Sequence, residues 1–375
     1  MSYLRLIRFG GKTVEIDYTS LVPYLRRELD KFLEVYPHVE GTGEPEILVT
    51  FKSYFSPRSR GEPIALNPST HKEFSDGFAI SFPFWGEIFW RIGSAVVVEV
   101  YLTKLLSSRN LLFKLIDREF NFPYQYVGAL LHELVLVPTV LYFYKGVVPI
   151  HGSAIVNNSK EAFAFSGCGG VGKTFLEMKL ILEENFGFFS DDIVLIGDDG
   201  HTFPNLQFPK IYPYNIRQLP KLNDFISKQQ TYFDRIQLNL FSIIPYIGKY
   251  YRRCISPKNV SKLDLADVSN LRNFYLLFRT DKVKSVRQKS ISSAEAMAVS
   301  FDIFKAEYFR IFNHLAYHEA NRSLLSMPKL VSESQLRRKY SRIFKSLKRV
   351  NFILVNIPLD SGVEDLYHFI KEDIQ

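Results

Sequence analysis

The sequence predicts an α/β protein with an α+β region ahead of its main domain. Three observations carry this. Residues 147–197 run in the order strand, turn, strand, glycine-rich loop, helix, strand, the order of an α/β core. Residues 1–145 show mixed strand and helix patterns with no such alternation. The 375 residues, 46% hydrophobic and 23% charged, are enough to bury two cores and too apolar for wholesale disorder. The expected division is therefore 1–145 and 146–375.

The elements follow in chain order. Residues 1 to about 75 read as strands and loops, with ILVTF at Ile47–Phe51 β-like and Ser56–Thr70 a polar, proline-rich loop. From Trp85 to Tyr144 the apolar spacing reads as helical, as in EIFWRIGSAVVVEVYLTKLL. Its last part, Val127–Tyr144, is the most apolar run. His132, Glu133 and Pro138 interrupt it, so it reads as a buried helix rather than a membrane crossing. HELVL there lacks the second histidine of a HExxH zinc motif. VVPIHGSAIV and AFAFS are expected strands, TFLEMKLILEENF a helix, FGFFSDDIVLIG a further strand and Asp198–Gly200 a hairpin turn. RNFYLLFRT and RVNFILVNIPL complete the expected strands.

Composition narrows the partners. A net charge of +8 favours anionic ligands: nucleotides, phosphorylated substrates or nucleic acid. Two cysteines, Cys168 and Cys254, give no disulfide framework and suit a reducing, cytoplasmic setting. The 33 Phe and 21 Tyr point to an aromatic core more than to a surface for stacking bases.

The loop Gly167-Cys168-Gly169-Gly170-Val171-Gly172-Lys173-Thr174 satisfies GxxxxGK[ST] in full, between an expected strand and an expected helix. Glycines let the backbone wrap an oxyanion. Consecutive amides and the following helix N-terminus then aim donors at the phosphates. Lys173 would reach the β- and γ-oxygens, and the Thr174 hydroxyl would ligate Mg²⁺. Cys168 lies inside the loop as a small space-filler that the motif does not need.

Two flanks refine this. His151 precedes one strand, and Asp191-Asp192 sits between apolar runs at the end of another. One carboxylate beside Thr174 would complete a Mg²⁺ site, and a second would accept a proton from an attacking hydroxyl. Adjacent acids titrate as a coupled pair, so the two roles are not separable by spacing.

HGSAIV, SGCGGVGKT and SDDIVLI, at this spacing, resemble the catalytic domain of the HPr kinase/phosphorylase family. The resemblance covers about residues 145–220. It implies a P-loop kinase domain with a mixed sheet, related to phosphoenolpyruvate carboxykinase, that transfers the γ-phosphoryl group of ATP to a serine-type hydroxyl. It implies Lys173 as the phosphate lysine, Thr174 and Asp192 on the metal side, Asp191 as base, and His151 as the neighbour that tunes the pair. The glycine-rich C-terminal signature of the bifunctional members is missing, so the resemblance is to single-function relatives that act on a peptide, protein or small molecule.

Two further segments are candidate contacts for an acceptor. In Asn205–Lys221, Lys210 and Arg217 would face phosphates or an acidic acceptor. In Gln335–Arg349, an apolar stripe of Leu336, Tyr340, Ile343, Phe344 and Leu347 leaves a basic face that includes Arg337, Arg338, Lys339 and Arg342. Arg252-Arg253 is a shorter basic pair. The expected function is thus an ATP- and Mg²⁺-dependent kinase, with GTP equally open and a homo-oligomer expected. The alternatives are a P-loop ATPase or nucleotide switch acting on a partner, and a nucleic-acid-associated P-loop protein using the basic helix.

Overall fold

The computed structural model describes residues 3–37, 39, 44–52, 65–67, 71–82, 86–103, 126–229, 236, 240, 243, 252–261, 263 and 268–375. The chain divides into two compact units, residues 1–145 with 308–338 and residues 146–307 with 339–375. Against the expected second domain of 146–375, Tyr308–Arg338 belongs with the first unit. Periodicity marks a helix as amphipathic but does not say which core its apolar face will cover.

In the first unit, β1 (Leu4–Phe9) and β2 (Lys12–Asp17) form a hairpin, and α1 (Pro23–Leu33) follows. Pro23 starts α1 where a missing N–H costs nothing, and Leu25, Leu29, Phe32 and Leu33 form its buried stripe. The strands β3 (Ile47–Lys52), β4 (Ala65–Asn67), β5 (His71–Phe74), β6 (Gly77–Phe82), β7 (Gly86–Ile92) and β8 (Val96–Leu102) complete the sheet, in the order β1-β2-β3-β8-β7-β6-β5-β4. It is mixed: β3 runs parallel to β2 and to β8, and the other pairs are antiparallel. Most of the expected loop Ser56–Thr70 lies outside the described residues.

The helix expected over Glu87–Leu106 is corrected: residues 86–102 are a hairpin of β7 and β8, with Trp90 opposite Val98 and Ile92 opposite Val96. Gly93, Ser94 and Ala95 make the turn, in which the Gly93 N–H donates to the Ala95 carbonyl (3.2 Å). The valines at 96–98 and 100 are β-branched and pack better on a pleated surface than in a helix. Residues 104–125 lie outside the described set. Helix begins at α2 (Tyr126–Ala129), widens into a π segment (Leu130–Leu136) and resumes as α3 (Val137–Phe143). The π segment ends just before Pro138, whose missing N–H cannot complete an α ladder. Glu28 of α1 accepts the Val127 N–H at 2.8 Å. A Cβ on Gly128 would come within 2.7 Å of the Phe32 ring, so glycine lets these helices touch. The Trp90 indole donates to Thr139 Oγ1 (3.1 Å), which donates to the Val135 carbonyl (2.6 Å).

The second unit is built on β9 (Val147–Val156), all ten residues of which are buried. β10 (Glu161–Ser166) pairs with it antiparallel, and the glycine loop leads into α4 (Lys173–Glu183). β11 (Gly187–Ser190) and β12 (Ile193–Gly197) both pair with β9, and β12 turns back into β13 (His201–Phe203) through a 3₁₀ turn at Asp198–Gly200. After β14 (Lys210–Ile211), α5 (Pro213–Gln218), α6 (Lys221–Gln229), β15 (Arg253–Cys254) and α7 (Pro257–Val260) comes the long strand β16 (Ser269–Thr280). It is followed by β17 (Arg287–Ser290) and α8 (Ser293–Glu307). The chain then visits the first unit as α9 (Phe309–Leu324), and ends with α10 (Glu333–Ser346), β18 (Asn351–Pro358) and α11 (Val363–Ile374).

The second sheet runs β10-β9-β12-β13-β16-β18-β17, with β11 beside β9 and a parallel pairing of β10 with β16. Parallel and antiparallel pairs make it mixed, and with helices α4 and α8 packed on β9 the fold class is α/β. The apolar stripe of α10 is buried throughout, and the Tyr340 hydroxyl donates to the Pro149 carbonyl. Arg337, Arg338, Arg342 and Lys345 are exposed, while Lys339 is half-buried. No helix among the described residues is long and apolar enough to cross a membrane.

Candidate functional site

The site is assembled around the start of α4. β10 ends at Ser166, whose hydroxyl donates to the His151 carbonyl (2.9 Å) and ties the loop's root to β9. Gly167, Gly170 and Gly172 lie at φ +155°, +80° and +108°, which a side chain would resist. Gly172 is the N-cap of α4 and offers no side-chain acceptor, so the first-turn amides have no cap of their own. With Gly169 and Val171 these residues form the loop that the motif requires.

Lys173 is the first helical residue and is 8% exposed. Its ammonium donates to the Gly167 carbonyl (2.7 Å) and the Cys168 carbonyl (3.0 Å), arching over the loop. Burial lowers its proton affinity, and the nearby Asp192, Asp191 and Glu307 charges oppose that. The Thr174 hydroxyl donates to Asp191 Oδ1 (3.2 Å). Strand, loop, helix and acidic pair therefore meet at one point.

The acidic pair sits in a break between β11 and β12. Both strands pair with β9, Ser190 opposite Ala154 and Ile193 opposite His151; the register shift falls at Phe189, and Asp191 and Asp192 leave the ladder as a tight turn in which the Ile193 N–H donates to the Asp191 carbonyl (2.8 Å). The Gly152 N–H reaches the Asp192 carbonyl (3.1 Å), and Asp192 adopts φ +68°. Aspartate tolerates this left-handed state better than most residues, and such strain clusters at functional sites. This turn sets the Asp191 carboxylate against Thr174 and Lys210 and the Asp192 carboxylate against Lys210.

Their environments differ. Asp191 is 4% exposed and accepts the Lys210 N–H at Oδ2 (3.2 Å). Burial, then the Asp192 charge, push its carboxyl up to about 6. Asp192 stays partly exposed and pairs with the Lys210 ammonium (2.5 Å). Burial alone would raise it, but Lys210 and His151 outweigh burial and hold it well below the usual carboxylate range. His151 lies on β9, 6% exposed, with its Nε2 3.9 Å from Glu307. Burial, aided by Lys173, lowers it to about 4, so its ring is neutral at pH 7. Thr174 and the two carboxylates make an all-oxygen set, the chemistry Mg²⁺ prefers.

Two acids here were not singled out from the sequence. Glu307, the last residue of α8, accepts the Gly169 N–H at 2.8 Å and so holds a carboxylate against the loop. It lies 138 residues from Gly169, and only the fold joins them. Glu177, on α4 one turn beyond Thr174, is fully buried. Burial, then the Asp191 charge, push its carboxyl well above its ordinary value. Its position on α4 was the one available signal: a glutamate within an apolar helical run.

Of the other candidates, Lys210 joins the site and Arg252 donates to the Tyr212 hydroxyl (3.2 Å). Arg217 is exposed and Arg253 fully buried. Among the described residues, Tyr212 and Tyr214 stack at 5.3 Å beside this group.

No family model and no curated protein matches the chain. The chain is similar in structure to the Hpr(Ser) kinase/phosphatase from Coxiella burnetii, at 12% sequence identity, over 60% of this chain and 92% of that one. The TM-score is 0.23, too low for the likeness to carry an argument.

Proposed function

We propose that this protein is an ATP- and Mg²⁺-dependent kinase that phosphorylates a hydroxyl group. The observation that carries the reading is the 3.2 Å bond from Thr174 to Asp191, which joins a complete phosphate loop to a coupled acidic pair. A loop alone serves any nucleotide switch; a second carboxylate beside it adds a group able to take a proton from an acceptor.

The loop amides and Lys173 hold the β- and γ-phosphates, and Thr174 with the acidic pair holds Mg²⁺, which neutralises charge on the transferred group. Asp191, with its raised proton affinity, is suited to receive the acceptor's proton. Asp192, kept anionic by Lys210, is suited to the metal side. The Thr174 contact draws Asp191 towards the metal as well, so the pair carries both tasks jointly. Neutral His151 presents a polar wall that adds no positive charge. Lys210 and Arg252 give the acceptor side a cationic lining, which favours an anionic peptide or small molecule. Positioning and charge neutralisation supply most of the rate in such reactions.

The test is incubation with γ-labelled ATP and a cell extract fractionated by size. Label transferred to a discrete acceptor, and lost with Asp191→Asn and Asp192→Asn, supports the reading. Label found only as free phosphate in every fraction defeats it.

A further inference from the structure

The first unit contains a second convergence of chemistry, remote in sequence from the phosphate loop. His71 and Glu73 lie two apart on β5, hence on one face of the strand. His314 and His318 lie four apart on α9, hence on one face of the helix. α9 packs on β5 and brings the two pairs together. His71 Nε2 lies 2.5 Å and His318 Nδ1 2.8 Å from the same oxygen, Glu73 Oε1. His71, Glu73 and His318 are no more than 1% exposed, and their ligand atoms all lie within 4.8 Å of one another.

We propose that His71, Glu73 and His318 bind a divalent transition-metal ion of the zinc class, with His314 closing the site at its rim. The donor set is two or three imidazoles and one carboxylate, which suits Zn²⁺ and its borderline neighbours rather than Mg²⁺ or Ca²⁺. Around an ion with ~2.1 Å bonds, neighbouring ligand atoms stand roughly 3.0–3.4 Å apart, so the cluster need open by less than about 1 Å.

The surroundings fit. The other Glu73 oxygen accepts Arg322 Nε at 2.9 Å, which fixes the carboxylate and aims Oε1 at the histidines. Arg322 is itself anchored on the carbonyls of Phe74, Gly77 and Pro328. A guanidinium on one oxygen and two imidazoles on the other are the partners of a carboxylate rather than a carboxylic acid. His314 stacks on His71 at 6.2 Å, and its Nδ1 is buried without a hydrogen-bond partner among the described residues. In the metal-free chain His71 Nε2 carries the proton that faces Glu73, and Nδ1, without a hydrogen-bond partner among the described residues, can take that proton when Nε2 turns its lone pair to an ion. Binding would forfeit the 3.3 Å contact from the Leu330 N–H to His318 Nε2. Such an ion would clip α9 to β5 across the 245 residues that separate Glu73 from His318, and stabilise the unit directly.

The test uses the untagged full-length protein. It is stripped with chelator, then titrated with zinc chloride against a competing chelator, with bound metal counted by mass spectrometry. About one zinc per chain is expected, with a rise in melting temperature that Mg²⁺ does not reproduce. His314→Ala, at the partly exposed rim, should weaken zinc at least about tenfold while the protein stays folded; His318→Gln should abolish binding. A folded wild-type chain that takes up no zinc overturns the proposal. Zinc bound at unchanged affinity by both variants also overturns it.

Discussion

Asp191→Asn should make the free protein more stable at alkaline pH while ending phosphoryl transfer. In the folded chain the Asp191 carboxyl titrates near 6, against an ordinary 3.8. A group whose proton is held more tightly in the folded state contributes stability below about pH 4, and that contribution is lost as pH rises through about 6. Roughly two units at 1.36 kcal/mol each put the cost of the ionised, buried carboxylate at about 3 kcal/mol above pH 7. Asparagine removes that charge. With one oxygen it cannot serve both the Thr174 hydroxyl and the Lys210 amide as acceptor, which gives back about 1 kcal/mol. The net expectation is a gain of about 2 kcal/mol at pH 8 and a loss of about 1 kcal/mol at pH 4. Trp90 is buried in the first unit and Trp85 lies outside the described residues, so tryptophan fluorescence is not the readout for the core around Asp191. Hydrogen-exchange protection of β9 and β12, measured without nucleotide or metal and corrected for intrinsic rates, reads that core. Equal protection of the two proteins at pH 8, or the same gain at pH 4 and pH 8, would refute the claim that Asp191 is a strained carboxylate.

Lys173→Met should lower ATP affinity by about 100-fold, the worth of a charge-assisted contact of about 3 kcal/mol, measured by calorimetry with the melting temperature little changed. Glu307→Gln should tighten ATP about fivefold, since a carboxylate would no longer compete with phosphate for the Gly169 amide, a contact of about 1 kcal/mol; weaker binding would instead mean that Glu307 helps to hold the nucleotide. Asp192→Asn should remove the neighbouring charge that helps to raise Asp191 and so lower the Asp191 titration, followed by carboxyl NMR without nucleotide; an unchanged titration would place Asp192 outside the coupled pair.

Local patterns carried much of this. The strands β9, β10, β12, β16 and β18 and helix α4 stand where period and turn residues place them, because each is long, apolar and bounded by glycine, proline or polar turns. The residues from Glu87 to Leu102 misled because VVVEV and EIFW are apolar at both helical and strand spacings. Only pairing with neighbouring strands, with β-branched side chains on both faces, decides for the hairpin. α1 has a clear amphipathic stripe, yet it is short and follows a β hairpin, and the strand pattern around it dominates. The π segment before Pro138 is a local answer to a missing donor that no apolar period records.

The candidate site divides the same way. The chemistry of Gly167–Thr174, and the presence of two adjacent acids and a histidine, are sequence properties, because a phosphate loop is made of contiguous backbone and needs no distant partner. Tertiary structure alone decided that Asp191 meets Thr174 and Asp192 meets Lys210, because a tight turn between two strands paired on β9 presents the carboxylates to different partners. It decided that Glu307 reaches the loop and that His71, Glu73 and His318 share one buried point, because these contacts span 138 to 245 residues. Spacing encodes which face of an element a residue occupies; only the packing of the whole chain decides what that face meets.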